Sequence, residues 1–461
     1  MSEQGQTSGN PGEQAPPYDA SLPHHLHAKL RRVRGFPIPA QTPDGKQQML
    51  LGLADAQQIS ERMVATVPAA QQILPLLDGQ HTPEEIAAKI GKGLSSEFVE
   101  NLIAQLDHAG LLHGPVFDAM LAKMREDFDS LDHLPPGSTA QVAEALAAQS
   151  LGQDADEKAR LEAAPDKLRE AMDQWIDQAL AKAENPSFDR LPRAIVAPHI
   201  DYPRGWINYG AIWGRLRVCD RPDRVVILGT NHFGQATGVA GCDKGYETPL
   251  GLCPLDRALV DVLCAKLGEE DSAKLFEHRF DHEREHSIEL QIPWVQHCLG
   301  KDDAGNYCPV FGVLVHDPAI NNGESYDGRG LGLEPFVAAM KQALAELGGR
   351  TLVVSSADLS HVGPAFGDQR KLAGDDEEAV AFRNKVAAHD REMLKYVTEN
   401  RPGDLVSSMA WQQNPTRWCS TGSLVATLQI VEPTKVELLS YAAAMDQQGA
   451  SMVSQAALAM E

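Results

Sequence analysis

Residues 194–232, AIVAPHIDYPRGWINYGAIWGRLRVCDRPDRVVILGTNH, predict a strand, a helix and a second strand, and each strand delivers a histidine. The first apolar run ends at His199, and the second, which begins at Arg224, ends at His232. The loops that follow the carboxyl ends of parallel strands converge at one edge of an open α/β sheet, and ligands gather there. We therefore expect the two imidazoles side by side, as part of a metal site or of an acid/base pair.

The same alternation of strands and helices continues from Leu191 to the C-terminus, which predicts a mostly parallel sheet covered by helices on both faces. The predicted strands are 194–199, 224–230, 308–315, 351–356 and 436–442. The predicted helices are 254–267, 286–299, 335–347, 376–397 and 424–431. Residues 191–461 thus form one predicted domain of the α/β class.

Composition argues against several classes of partner. The chain has 41 Lys and Arg against 64 Asp and Glu, and a net charge of −23 argues against nucleic-acid binding, which needs a basic surface. No apolar run approaches the roughly 20 residues of a membrane span, and no apolar signal core opens the chain, so we expect a cytoplasmic protein without a membrane partner. The seven cysteines include no C-x-x-C pair, a pattern typical of reduced, mostly buried thiols.

The N-terminal part of the chain differs in composition from the α/β domain. Residues 1–22 are rich in Gln, Gly, Ser and Pro and have little to bury, so we expect a disordered tail. Three histidines follow it: His24, His25 and His27. They could bind a metal loosely, but histidines of a flexible segment usually bind nothing in particular. Residues 116–190 predict a helical connector, in which an amphipathic helix begins near Asp166.

Residues 23–115 predict a small winged-helix-like α+β domain. A turn at Pro43-Asp44-Gly45 joins two apolar stretches into a plausible hairpin. Three short helices follow: one over 67–77, one capped by Thr82 and one that begins at Ser95 or Ser96.

Two segments of this domain, 76–86 and 106–112, resemble the PqqD-like domains that recognise leader peptides and dock on radical-SAM enzymes. A generic winged helix would show the same caps and leucines, so both interpretations stay open. Lys and Arg do not cluster on the third helix, which argues against DNA binding.

Two further stretches of the α/β domain carry residues suited to chemistry. The predicted strand 351–356 is followed by a loop that contains Asp358 and His361, so a histidine follows a third strand as well. Each histidine alone is more often structural than a ligand, but equivalent positions on several strands favour a shared site. Cys419 precedes the helix 424–431, where the helix dipole stabilises a thiolate for metal ligation or nucleophilic attack. The other six cysteines read as small buried hydrophobes.

The stretch around residue 286 is polar and opens a helix. Glu285, His286 and Glu289 fall on or near its first turns, where the helix dipole favours carboxylates. His278, His282 and His286 also recur at every fourth residue, so a zinc-binding stripe on one helix is conceivable. No helix start signal precedes His278, and we favour a loop that leads into the helix.

Five motifs resemble the Memo-like family, whose bacterial members are called AmmeMemoRadiSam system protein B. They occur in the family's order and spacing: Pro198-His199-x-Asp201-Tyr202, Gly229-x-Asn231-His232, Glu285-His286-Ser287-x-Glu289-x-Gln291-x-Pro293, Ser355-Ser356-x-Asp358-x-Ser360-His361 and Arg417-x-Cys419-x-x-Gly422. The resemblance extends from Leu191 to the C-terminus and includes the stretches 438–442 and 451–454.

The resemblance implies a class III extradiol dioxygenase-like fold with layered α/β/β/α architecture. It also implies three metal ligands: His199, His232 and Cys419. It assigns His361, with Asp358 close by, to the acid/base position and puts His286 in the pocket lining. Many members have Gly-Tyr after the first histidine, where this chain has Ile-Asp-Tyr-Pro-Arg-Gly at 200–205, so the pocket rim differs and the family's substrate size does not carry over to this chain.

A His, His, Cys set differs from the two-histidine, one-carboxylate face of iron oxygenases. The softer thiolate favours Fe(II), Cu(I) or zinc and exposes the site to oxidation, and Fe(II) is the metal we expect. The expected function is a redox or extradiol-dioxygenase-type reaction on a small molecule, together with a radical-SAM protein and other AmmeMemoRadiSam components. The alternative is a non-enzymatic adaptor that recognises a peptide or a partner protein.

Overall fold

The computed structural model describes residues 15–41, 47–91, 93–152 and 155–461. The chain divides into two compact units, Met1–Leu131 and Asp132–Glu461. The predicted hairpin turn at 43–45 and residues 1–14 of the predicted tail lie outside the described residues. Within the described residues, no helix combines the length and the hydropathy needed to cross a membrane.

Among its described residues, the first unit holds a three-stranded antiparallel sheet and four α-helices. Its strands are β1 (Val33–Gln41), β2 (Gln47–Asp55) and β3 (Met63–Thr66), in that order across the sheet. Its helices are α1 (Pro23–Leu26), α2 (Pro83–Ile90), α3 (Ser96–His108) and α4 (Pro115–Ser130). Leu53, Ile73, Ile86 and Ile103 are buried in its core. The winged-helix-like and PqqD-like interpretations of this unit stay predictions.

Helix starts in the first unit follow from their caps. Thr82 and Glu85 form the predicted capping box at α2, and the Ser95 side chain accepts the Phe98 N–H at α3, so both predicted starts are confirmed. The predicted helix over 67–77 is wrong. Two 3-10 helices, Pro68–Gln72 and Leu74–Leu76, take its place because Pro75 has no N–H with which to continue an α-helix.

The second unit contains an eight-stranded mixed sheet, which confirms the predicted α/β class. The second unit as a whole has these described strands: β4 (His133–Leu134), β5 (Ala194–Ala197), β6 (Arg224–Thr230), β7 (Ala240–Gly241), β8 (Gly245–Thr248), β9 (Gly251–Cys253), β10 (Val310–Val315), β11 (Thr351–Ser356), β12 (Asp358–Val362), β13 (Val436–Met445) and β14 (Met452–Met460). The large sheet runs β12-β14-β5-β11-β6-β10-β7, with β13 on the other edge of β14, while β4, β8 and β9 form a small separate sheet.

The prediction of a mostly parallel sheet holds only for the centre of the large sheet, because β7, β12, β13 and β14 pair antiparallel with their neighbours. β5, β11, β6 and β10 run in one direction, and β11 lies between β5 and β6. Every residue of β5 and β10 is buried, so both faces of these strands are covered. β14, which is antiparallel to β5, was absent from the predicted strands. Its sequence is rich in small and polar residues, which have low strand propensity.

Eleven described helices accompany these sheets: α5 (Ser138–Leu151), α6 (Glu157–Leu180), α7 (Tyr202–Trp213), α8 (Arg257–Phe276), α9 (His286–Glu289), α10 (Ile292–Leu299), α11 (Pro318–Asn321), α12 (Leu333–Leu347), α13 (Glu377–Thr398), α14 (Pro402–Gln412) and α15 (Thr421–Val431). α15 packs across the four parallel strands, and α7 packs on β5, β13 and β14.

Two predicted helix boundaries in this unit are wrong because of proline. The single helix expected over 286–299 is divided into α9 and α10, since Pro293 cannot donate a backbone hydrogen bond and instead opens α10. α6 begins at Glu157, before the expected start near Asp166, and keeps Pro165 inside it. A proline inside a helix costs about 3 kcal/mol, and Ala164 and Leu168 beside it are buried.

Candidate metal centre

His199 follows β5 and presents one ring nitrogen to the site. Its backbone N–H donates to Asp358 Oδ1 at 3.0 Å, and its Nδ1 lies 3.1 Å from the Ser356 carbonyl oxygen. A carbonyl only accepts, so Nδ1 carries the proton and Nε2 keeps a free lone pair. Burial lowers the pKa of His199 well below its ordinary value, so the ring is neutral and suited to metal ligation.

His232, after β6, is fixed by a buried carboxylate. Glu285 accepts the His232 N–H at 2.8 Å and contacts its Nδ1 at 3.0 Å. Burial by itself raises the pKa of Glu285, but the adjacent His232 reverses this and holds it below the ordinary value. Burial by itself lowers the pKa of His232. Glu285 and Cys419 outweigh burial, so the pKa of His232 lies well above its ordinary value. A carboxylate that holds Nδ1 fixes the tautomer in which Nε2 binds a metal.

Cys419 completes the group from the residues before α15. Its Sγ lies 3.3 Å from His199 Nε2, and the ligand atoms of His199, His232 and Cys419 all lie within 4.8 Å of one another. Ligands bound to one ion at 2.0–2.3 Å stand roughly 3.3–3.8 Å apart in tetrahedral geometry. The three side chains therefore fit a single small ion with little rearrangement.

Asp358 and His361 lie on β12 beside this group. Asp358 Oδ2 is 3.8 Å from His199 Nε2, and burial raises the pKa of the carboxyl to about 7. His361 Nδ1 lies 3.0 Å from the Leu359 carbonyl oxygen, which must accept its proton. Burial lowers the pKa of His361 to about 4, so the ring is neutral at pH 7 with Nε2 unprotonated.

His286, the first residue of α9, adds a third imidazole. Its ring centroid is 4.9 Å from that of His232 and 5.6 Å from that of His199, and its Nδ1 is 3.3 Å from Glu285 Oε1. Burial lowers the pKa of His286. Thus the structure brings His286 to the same cleft as the three ligands.

Several residues that hold the site were not singled out as site residues from the sequence. Asp281 accepts hydrogen bonds from the Asn231 amide at 2.8 Å and from the N–H groups of Gln235 and Ala236, which fixes the loop after His232. The sequence placed Glu285 at a helix start and in a family motif, without a role in holding His232. Its role depends on a turn that returns to His232, and no local pattern carries that information.

Other candidate residues serve the fold instead. The Glu289 carboxylate accepts the N–H groups of Gly137, Ser138 and Thr139, where it caps α5. Asp201, in the segment that departs from the family pattern, accepts the Arg204 N–H and caps α7.

The zinc stripe considered for His278, His282 and His286 is not formed. His278 precedes a 3-10 helix, Arg279–Arg284, which separates it from α9. Both ring nitrogens of His282 are taken, one by the Tyr246 hydroxyl at 2.9 Å and one by the Ala240 carbonyl at 3.0 Å. The loop interpretation was the better one.

His24, His25 and Asp107 form another close group, in the first unit. The backbone N–H of Asp19 donates to His25 Nδ1 at 3.0 Å, so the ring proton is on Nε2, which faces Asp107 at 3.3 Å. A protonated nitrogen offers no lone pair to a metal. These side chains form a hydrogen-bonded pair at α1 rather than a metal site.

Comparisons with known proteins show the family. A family model described as "Memo-like protein" matches residues 161–459, more than half of the chain. A MEMO1 family protein of Methanopyrus kandleri is 26% identical over 294 residues, 62% of this chain and 89% of the relative. One of Thermotoga petrophila is 30% identical over 223 residues, 46% of this chain and 69% of the relative. One of Desulfurococcus amylolyticus is 27% identical over 292 residues, 62% and 89%. With its mixed α/β sheet and this match, the chain belongs to the Memo-like protein family.

Proposed function

We propose that the second unit holds one metal ion, Fe(II), through His199, His232 and Cys419 and uses it in a redox reaction of the extradiol-dioxygenase type. The observation that carries the proposal is the direction of the two imidazoles. Both Nδ1 atoms are engaged by buried acceptors, and the ligand atoms of the two imidazoles lie with the Cys419 sulfur within 4.8 Å of one another. Cu and zinc also accept such a ligand set, so the metal is an outcome of the test.

The protein groups around the ligands suit proton transfer. When bound, the ion would supply Lewis acidity and electron transfer toward dioxygen and a catechol-like diol. His361 is neutral at pH 7 and can take a proton on Nε2, as a general base does. Asp358, with a pKa of about 7, can hold or release a proton near neutrality. The Oδ1 atom of Asp358 accepts a hydrogen bond from the His199 backbone N–H.

Metal analysis of anaerobically purified protein tests the ligand set. We expect one ion per wild-type chain and loss of that ion in Cys419→Ala and His232→Ala. Cys264→Ala and His316→Ala are matched controls, because neither residue belongs to the group. Full stoichiometric metal in both ligand variants would contradict the proposal.

Oxygen uptake separates an enzyme from an adaptor. Metal-loaded wild-type protein should consume oxygen with diols, and His361→Ala should keep its metal and lose turnover. A loaded protein that never consumes oxygen with any diol would favour the adaptor function, in which the cleft binds a peptide or partner without turnover.

The first unit is the proposed docking site for a radical-SAM protein. The observation in favour is its own compact core, with Met63 and Val67 each 42% exposed beside β3. Full-length Val67→Glu should lose co-purification with the radical-SAM partner. Val218→Glu, at an exposed position of the second unit, should retain it. Equal capture by both variants would contradict the docking proposal.

A further inference from the structure

Asp390, on α13, is a fully buried carboxylate with four hydrogen-bond donors around it. The donors to Oδ1 are the Ser360 hydroxyl at 2.5 Å and the Trp418 indole N–H at 2.7 Å. The donors to Oδ2 are the Tyr441 hydroxyl at 2.7 Å and the Ser454 hydroxyl at 2.5 Å. Each carboxylate oxygen thus accepts two hydrogen bonds.

A carboxylate at such a position is costly unless it is fully hydrogen-bonded. All four contacts come from neutral side chains on separate segments, so one group joins β12, β13, β14 and the residues before α15. Charge-assisted hydrogen bonds of this kind are stronger than neutral ones and fix their donors closely. The arrangement therefore sets the relative position of four segments.

Two of those segments carry the metal site. Trp418, 2% exposed, immediately precedes Cys419. Ser360 lies between Asp358 and His361 on β12, and its backbone N–H donates to Ser454 Oγ at 2.9 Å. The same carboxylate thus bonds to the residue before the sulfur ligand and to a residue between the two acid/base candidates.

We propose that Asp390 is a positioning residue for the metal centre, which fixes Trp418 and Ser360 so that Cys419, Asp358 and His361 face one cleft. This inference rests on the proposed function. Asp390 touches neither ligand nor substrate, and it acts through its hydrogen bonds to the neighbouring residues.

A spectroscopic readout separates positioning from stability. Apo full-length protein is loaded with Co(II), and the thiolate-to-Co(II) charge-transfer band and the affinity, by chelator competition, are measured. Asp390→Ala should weaken Co(II) binding by about 10–100-fold, the range for loss of an outer-shell partner, and reduce the band. Asp390→Asn, which still accepts from Trp418 and Ser360, should restore most of both.

Asp256 is the matched control. It is also a buried carboxylate with several donors, since it pairs with Arg224 at 2.9 Å and caps α8 through the Leu259 N–H. Asp256→Ala should lower stability yet keep the wild-type band and affinity. Equal effects of Asp390→Ala and Asp256→Ala, or a wild-type band in Asp390→Ala, would overturn the inference.

A second variant covers the case in which Asp390→Ala does not fold. Trp418→Phe removes the indole N–H that Asp390 accepts, together with part of the ring, and keeps an aromatic side chain, so it should reduce the band in a folded protein. An unchanged band in Trp418→Phe would also overturn the inference. A wild-type protein without any thiolate band would instead contradict the metal site itself.

Discussion

Ser420 places a hydroxyl 3.1 Å from the Cys419 sulfur. Its other neighbour is Thr230 Oγ1 at 3.3 Å, which itself donates to the Cys419 carbonyl oxygen. A bound thiolate is the stronger acceptor of the two, so we expect the Ser420 proton to point at the sulfur when metal is bound.

Ser420→Ala should therefore make the sulfur more electron-rich. The charge-transfer band should move to lower energy and the reduction potential should fall by roughly 20–65 mV, which corresponds to one hydrogen bond of about 0.5–1.5 kcal/mol. Spectroelectrochemistry of the metal-loaded protein measures both. Ser407→Ala, an exposed serine on α14 that bonds to the Gly403 carbonyl, is the control. A band and potential equal to wild type would show that Ser420 does not donate to the sulfur.

His282 makes stability depend on pH. Burial lowers the pKa of this ring to about 4, against an ordinary value of 6.5. The unfolded chain then binds the extra proton between pH 6.5 and pH 4, so the stability that the neutral ring contributes is lost as pH falls through that window. The difference corresponds to about 3 kcal/mol.

His282→Gln should flatten this pH dependence. Denaturant unfolding of metal-free protein at pH 4.5 and pH 7 measures the free energy of unfolding of both proteins. The wild type should lose more stability between the two pH values than the variant. Equal losses would mean that His282 is not held neutral by its burial.

At the residue scale the sequence singled out the side chains that the structure brings together better than the groups that hold them. His199 and His232 could be predicted because they end apolar runs, and Cys419 because it precedes an apolar helix. Glu285, Asp281 and Asp390 act across long stretches of chain: 53 residues separate His232 from Glu285, 50 separate Asn231 from Asp281, and 64 separate Ser454 from Asp390. Such pairings depend on the tertiary fold, which local patterns do not encode.

At the scale of elements, the position of a histidine at a strand end is not sufficient for membership of the site. His316 follows β10 as His232 follows β6, and the two strands pair in parallel. Its Nε2 instead bonds to the Gly323 carbonyl at 3.1 Å, and it belongs to no metal group of the described residues. The strand order explains the difference, because β5, β11 and β6 are neighbours and β10 lies beyond β6. Strand order was not predictable from the apolar runs.

The contact of α15 with β10 depends on Gly422. A Cβ at this residue would overlap the carbonyl oxygen of His316 and meet Val315 Cγ1 at 3.0 Å. Because a backbone carbonyl cannot yield as a flexible side chain can, Gly422→Ala should push the start of α15, and Cys419 before it, away from the sheet.

Gly422→Ala should lower the free energy of unfolding by about 1–3 kcal/mol, the usual range for overpacking, and also lower metal stoichiometry. Urea unfolding and metal analysis measure the two effects. Gly403→Ala, in the first turn of α14 with nothing within 4 Å of its Cβ, should change neither by much. Wild-type stability in Gly422→Ala would show that α15 tolerates a shift away from β10.

At the scale of the whole molecule, the six tryptophans all lie in the second unit, between residues 175 and 418. Tryptophan fluorescence therefore follows the unfolding of the unit that contains the metal centre. Three of the indoles, those of Trp213, Trp294 and Trp418, are almost fully buried and should change emission strongly on unfolding.

A metal that binds only the folded second unit must stabilise that unit by mass action. At a free metal concentration 100 times the Kd, the gain is about 2.7 kcal/mol, so the fluorescence transition of wild-type protein should move to higher urea when metal is added. Cys419→Ala removes a ligand and should show no shift, whereas Cys264→Ala, a half-buried thiol outside the site, should shift as the wild type does. A shift of the same size in Cys419→Ala would mean that the metal stabilises the chain from another site. Mass action requires only that the metal bind the folded unit, and it does not require these three ligands.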